Sequence, residues 1–153
     1  MHRFLVLLVA VACDKDADHD SGHDHAGHSD ICSSPGETFT AGMTHSGDAD
    51  LFAFEITEAN PTPPDKGDNV WTIRITDLDS LEPVTGATVL ATPFMPDHGH
   101  TPTEYAVNET KTDGVYMTET IDLIMSGLWD ITLTATTSDG TSDATTFSFC
   151  LEG

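Results

Sequence analysis

Hydrophobic residues recur at every second position through much of this chain. Residues 51–57 set Phe52, Phe54 and Ile56 against Ala53, Glu55 and Thr57. Residues 70–76 set Trp71, Ile73 and Ile75 against Thr72, Arg74 and Thr76. Residues 128–136 put Trp129, Ile131, Leu133 and Ala135 on one face, and residues 145–151 do the same with Phe147, Phe149 and Leu151. A period of two is the mark of a half-buried strand. Weaker strands are expected over 37–41, 87–94, 103–107 and 115–124. Between them lie a proline-rich loop at 61–67 and turns at Asp113-Gly114, Ser126-Gly127 and Asp139-Gly140. No segment shows helical periodicity. The pattern predicts an all-β domain, an antiparallel sandwich of seven to eight strands from about residue 37 to 151, with Trp71 and Trp129 as core anchors.

The first thirty residues break this pattern. Met1-His2-Arg3 is a positive start and residues 4–12 are an unbroken apolar run, as in a signal peptide. Val11-Ala12-Cys13 resembles a lipobox, in which Cys13 would carry the lipid; a plain secretory cut after Ala12 is the alternative. Residues 13–31 are expected to be a disordered tether, because 14–30 contain no aromatic or large aliphatic side chain to bury. Its His19, His23, His25 and His28 alternate with aspartates. Such a tract suits weak buffering of zinc, nickel or copper, or serves as a solvated spacer. The folded domain is expected to span 32–153.

Cysteine count and charge narrow the setting. Three cysteines are an odd number for an exported chain. With Cys13 lipidated, Cys32 and Cys150 remain as a disulfide pair in an oxidising compartment. The expected location is periplasmic or cell-surface, anchored to a membrane through Cys13. Twenty-six acids against five Lys and Arg give a net charge of -21. That surface repels phosphate backbones, which excludes nucleic acid as a partner, and it attracts cations.

The candidate chemistry lies in residues 94–100, Phe-Met-Pro-Asp-His-Gly-His. Met95, His98 and His100 fall on a loop bent by Pro96 and Gly99, and Met125 stands at a later turn. Thioether and imidazole suit copper. The plainer reading is that the methionines fill core gaps and the histidines are loop residues. Met43-Thr44-His45 is a second, weaker pair of the same kind. Tyr116 reads as a structural tyrosine whose hydroxyl caps a loop. No nucleophile elbow, phosphate loop or metalloprotease helix motif occurs, and the carboxylates fall mostly in turns and on exposed strand faces. The chain is therefore not expected to be an enzyme.

Five short motifs follow one another: Gly67-Asp68-Asn69-Val70, Glu82-Pro83-Val84-Thr85-Gly86-Ala87-Thr88-Val89, Met95-Pro96-Asp97-His98-Gly99-His100, Gly114-Val115-Tyr116 and Met125-Ser126-Gly127-Leu128-Trp129. In this order and spacing they resemble the YtkA-like domain, related to FixH-like proteins, over residues 64–135. The resemblance implies an immunoglobulin-like sandwich that is exported and often anchored. It implies an association with cation transport and with copper or respiratory-oxidase maturation, hence partners among membrane-bound cation-transport or oxidase-assembly proteins. Many relatives carry a second methionine where this chain has His98. The functional reading is an accessory domain that binds or hands over copper; a non-catalytic structural or protein-interaction sandwich is its alternative.

Overall fold

The computed structural model describes residues 31–32, 34–99 and 103–152. These form nine strands and no helix: β1 (Met43–Ser46), β2 (Phe52–Asn60), β3 (Gly67–Asp77), β4 (Thr88–Phe94), β5 (Tyr105–Glu109), β6 (Val115–Thr118), β7 (Ile121–Leu123), β8 (Gly127–Thr136) and β9 (Ser142–Leu151). All pairings are antiparallel, in the order β1-β2-β3-β6-β5-β4-β8-β9, with β7 also on β3. The sheet folds over on itself into a sandwich-like, nearly closed shell. Inside lie the residues that the alternation predicts, with Trp71, Ile73, Ile131, Leu133, Phe147 and Phe149 all buried. Trp71 meets Phe149 edge-on across the core at 5.6 Å between ring centroids. Trp129 lies near the rim and is 8 % exposed.

Three boundaries differ from the sequence expectation. Residues 37–41 are not a strand; β1 begins at Met43. The preceding segment is drawn onto β9 instead. Gly36 bridges Phe149, and a Cβ there would come within 2.8 Å of the Cys150 nitrogen, a fit open to glycine alone. The strand expected at 103–107 forms at Tyr105–Glu109. The single strand expected over 115–124 is two. Thr72 pairs with Met117 and Asn69 with Ile121, which leaves one extra residue on the β6–β7 side. That bulge places the Thr118 hydroxyl where it accepts the Trp71 N–H at 2.9 Å.

β1 and β9 are the two ends of the sheet, and side chains close the seam between them. The Asp48 N–H donates to the Ala144 carbonyl at 2.8 Å and the Glu37 N–H to that of Ser148 at 2.6 Å. Glu37 Oε1 accepts the Ser148 N–H at 2.9 Å. His45 stacks on Phe147, with Nδ1 at 3.1 Å from the Thr146 carbonyl and Nε2 at 2.8 Å from Glu37 Oε2. Each ring nitrogen faces a protein oxygen across the seam.

Asp143 anchors the same seam. Its buried carboxylate accepts N–H groups from Ala49, Leu51, Phe52 and Ala144 at 2.9–3.0 Å. Desolvation pushes its pKa up, but the four backbone donors outweigh it and hold the group below the usual carboxylate value. Gly47 lies against the carboxylate so closely that any Cβ would collide with it.

Outside the seam, the Tyr116 hydroxyl donates to the Val84 carbonyl at 2.9 Å and accepts the Ala87 N–H at 3.2 Å. This is the loop-capping role expected of it; burial pushes the phenol's pKa up and keeps it neutral. Cys32 and Cys150 form the expected disulfide, with Cα atoms 5.9 Å apart and 118 residues between them in sequence. Closing so long a loop contributes about 5 kcal/mol in the chain-entropy model.

Two outcomes follow from the seam. Asp143→Asn leaves N–H groups facing an amide that cannot accept them all, and stability at pH 7 should fall by about 1–3 kcal/mol. Because the folded pKa is depressed, the parent's advantage is fully present above the unfolded carboxylate value and disappears as pH falls through the folded one. Urea melts of both proteins across the acid range check this; equal stability at neutral pH would refute it. Cys150→Ser should cost about 2–5 kcal/mol. Alkylation before reduction should label neither Cys32 nor Cys150 in the parent.

A cleft between Met95 and Met125

The alternation that builds β4 sends Val89, Ala91 and Pro93 inward, and Met95 continues it one step past the strand. Its side chain is 1 % exposed. Its carbonyl accepts the N–H groups of His98 at 3.1 Å and Gly99 at 3.0 Å, which closes a single turn over 96–99. Gly99 takes φ +61°, a conformation natural to glycine. His98 is exposed on this turn. His100 lies outside the described residues.

Met125 approaches from the other side. It packs partly buried against the core, and its carbonyl accepts the Trp129 indole N–H at 2.9 Å. That bond fixes the short connection from β7 to β8. Met95 and Met125 then line one cleft of about 310 Å³, with Phe94, Tyr105, Asp122 and Trp129 among its other walls. This volume is at the lower end for small-molecule sites, enough for a side chain or an ion with its ligands. Gly127 packs against Met95: it has φ +135°, and a Cβ there would lie 2.8 Å from the Met95 methyl.

The four residues singled out in the sequence therefore part company. Met95 and Met125 line the same cleft. His98 is on the turn that follows Met95 and is exposed, whereas Met95 is buried. Among the described residues no three His, Cys, Asp or Glu side chains are grouped to hold a metal ion. Met43 and His45 do not form a second pair of ligands: Met43 packs against the core and both His45 ring nitrogens are engaged in the seam. Cys13, His19, His23, His25 and His28 lie outside the described residues.

Asp143 was missed in the sequence as a functional part of the fold, although a signal existed. Counting back by twos from Leu151 through Phe149, Phe147 and Thr145 places Asp143 on the core face. The same count along β4 marks Met95 as inward-facing.

Gly127→Ala tests the packing of Met95. The positive φ and the displaced Met95 methyl should lower stability by about 1–3 kcal/mol. The Met95 methyl resonance should shift while that of Met43 stays in place. A variant as stable as the parent, with the Met95 signal unmoved, would refute this packing.

Neither curated proteins nor solved structures yielded a match to this chain. A model of the YtkA-like family matches residues 48–134. That span runs from the Asp48 seam contact to β8 and takes in Met95, Met125 and the turn between β4 and β5. It covers more than half of the sequence, and the chain belongs to the YtkA-like family.

Proposed function

We propose that this protein is an exported, non-catalytic accessory domain that holds copper and hands it on, using Met95 and Met125 with His98 and His100 of the adjoining loop. The observation that supports the reading is that Met95 and Met125 line one cleft, and that the turn bearing His98 starts at Met95. The donor set fits Cu(I): thioether is a soft ligand, and imidazole tolerates either copper oxidation state. Bound there, copper would supply a soft cationic centre for ligand exchange. The residues' part is to present sulfur at the cleft and imidazole above it. With no thiolate in the set, the metal exchanges rather than locks. The acidic chain concentrates cations around it. Export is supported by the Cys32–Cys150 disulfide and the apolar start of the sequence, and lipid anchoring at Cys13 by the lipobox-like residues. The partners proposed are membrane-bound cation-transport or oxidase-assembly proteins.

The alternative, an interaction sandwich without a metal role, draws on one observation: Met95 is almost wholly buried and already packed against Gly127. The two readings separate in a Cu(I) competition titration on the domain from Ile31 onward. Met95→Leu with Met125→Leu should weaken binding roughly tenfold or more, which is about 1.4 kcal/mol. His98→Ala and His100→Ala should weaken it less and flatten its pH dependence, since acid protonates imidazole and not thioether. Unchanged affinity in every variant assigns the domain to the interaction class.

A further inference from the structure

The cleft opens where the sheet pairing runs out. β4 continues to Phe94, but β5 pairs with it only from Val89 to Ala91. β7 pairs with β3 and, among the described residues, with no other strand. Phe94 of β4 and Asp122 of β7 both line the cleft. The phase of β4 puts Phe94 on the outer face, and Asp122 is exposed between buried Ile121 and Leu123. Trp129 has the inward phase of β8, and Met95 is buried. The lining thus reaches from the surface of the shell into its interior.

Three aromatic residues, Phe94, Tyr105 and Trp129, belong to that lining. The Trp129 N–H is already given to the Met125 carbonyl, so the indole has only its carbon and π surface left to offer. Phe94 and Tyr105 are half-buried and held in strands, opposite Asp130 and Ala91. Asp122 is the one carboxylate in the lining, which contains no Lys, Arg or His. A neutral apolar ligand would leave the carboxylate unused, and a hydrated metal ion would leave the rings unused. An alkylated ammonium ion uses both. Its charge is drawn to the carboxylate and to the negative faces of aromatic rings, while its methyl groups bury apolar surface. A net charge of -21 disfavours a ligand that also carries phosphate.

We infer that the cleft binds a small organic ammonium ion of the choline type, a quaternary or alkylated amine with no phosphate attached. Asp122 supplies the opposite charge at the rim, and Phe94, Tyr105 and Trp129 supply the aromatic surface. The volume of about 310 Å³ suits a ligand of that size. The inference stands apart from the copper reading, because it uses the rings and the carboxylate and not the thioethers. Binding is recognition of charge and shape, with no bond made or broken.

The test is an NMR titration of the full, disulfide-bonded chain with choline chloride, at ionic strength held constant with sodium chloride. Constant ionic strength removes the general attraction of cations to an acidic chain. The Trp129 indole resonance should shift and saturate, with a dissociation constant on the order of 1 mM. The neutral isostere 3,3-dimethylbutanol, with carbon in place of the ammonium nitrogen, should bind much more weakly. Phosphocholine should also bind more weakly than choline. Phe94→Leu keeps an apolar wall without the ring, and it should weaken choline binding roughly three- to tenfold. Asp122→Asn should weaken it roughly threefold. Both changes are at positions outside the core, so the spectrum of each variant should otherwise match the parent's. Met95→Leu with Met125→Leu should retain choline binding even where it loses copper, so the two readings fail separately. No saturable shift with choline overturns the inference, as does equal binding of the neutral isostere, or unchanged affinity in both Phe94→Leu and Asp122→Asn. Phosphocholine binding as tightly as choline overturns the choice of a phosphate-free ligand.

Discussion

The fold depends on how its last strand is closed. A sheet of this order ends at β1 and β9, and two open edges on a small domain would expose unpaired carbonyl and N–H groups. Here the edge of β9 is met in turn by Asp48, the His45 ring and Glu37, which reach Ala144, Thr146 and Ser148. The alternate carbonyls that a neighbouring strand would have taken are satisfied by one backbone segment after another and by an imidazole. Asp143 works in the opposite direction, from β9 toward the 49–52 loop. The Asp143 bonds are charge-assisted, stronger and more exacting than a ladder pair. Together with the backbone bonds of Asp48 and Glu37, they hold the loop after β1 and the N-terminal segment to one strand.

That closure also determines where the N-terminal segment leaves the domain. Once Glu37 and Gly36 are laid along Ser148 and Phe149, the chain before them runs toward the end of β9, where Cys150 waits. The disulfide extends the seam by one more link. It is therefore through the seam that residues remote in sequence, Ile31 and Met95, come to lie against one glycine.

How much of this the sequence discloses depends on which side chains make the contact. The alternating runs of β2, β3, β8 and β9 are plain, because each inward position is apolar over several turns of the pattern. The β6–β7 break is hidden, since a bulge answered by the Thr118 hydroxyl leaves the hydrophobic pattern almost undisturbed. The seam is hidden too: Glu37, His45 and Asp143 look like surface residues in a chain with so many acids, and only the phase of β9 betrays Asp143. At the candidate site, loop histidines drew attention by their spacing, yet Met95 and Met125 are the ones that line the cleft. Their placement comes from the strand phase that carries Met95 inward and from the Trp129 bond to the Met125 carbonyl, neither of which a motif records.

In the copper reading, the composition of the cleft imposes a further condition. Thioethers are neutral, so a Cu(I) ion bound by Met95 and Met125 would keep its full positive charge. Moving that charge against Phe94 and Trp129 is unfavourable unless an anion lies near. Asp122 lines the same cleft and faces solvent, where it remains well hydrated when no cation is present. An anion at the rim rather than inside the first ring of ligands attracts a cation without binding it tightly. It lowers the cost of entry more than it deepens the bound state. Together with thioethers, for which protons do not compete, this would favour a site whose occupancy follows the supply of metal, which is the behaviour a handover domain requires and a structural metal site does not.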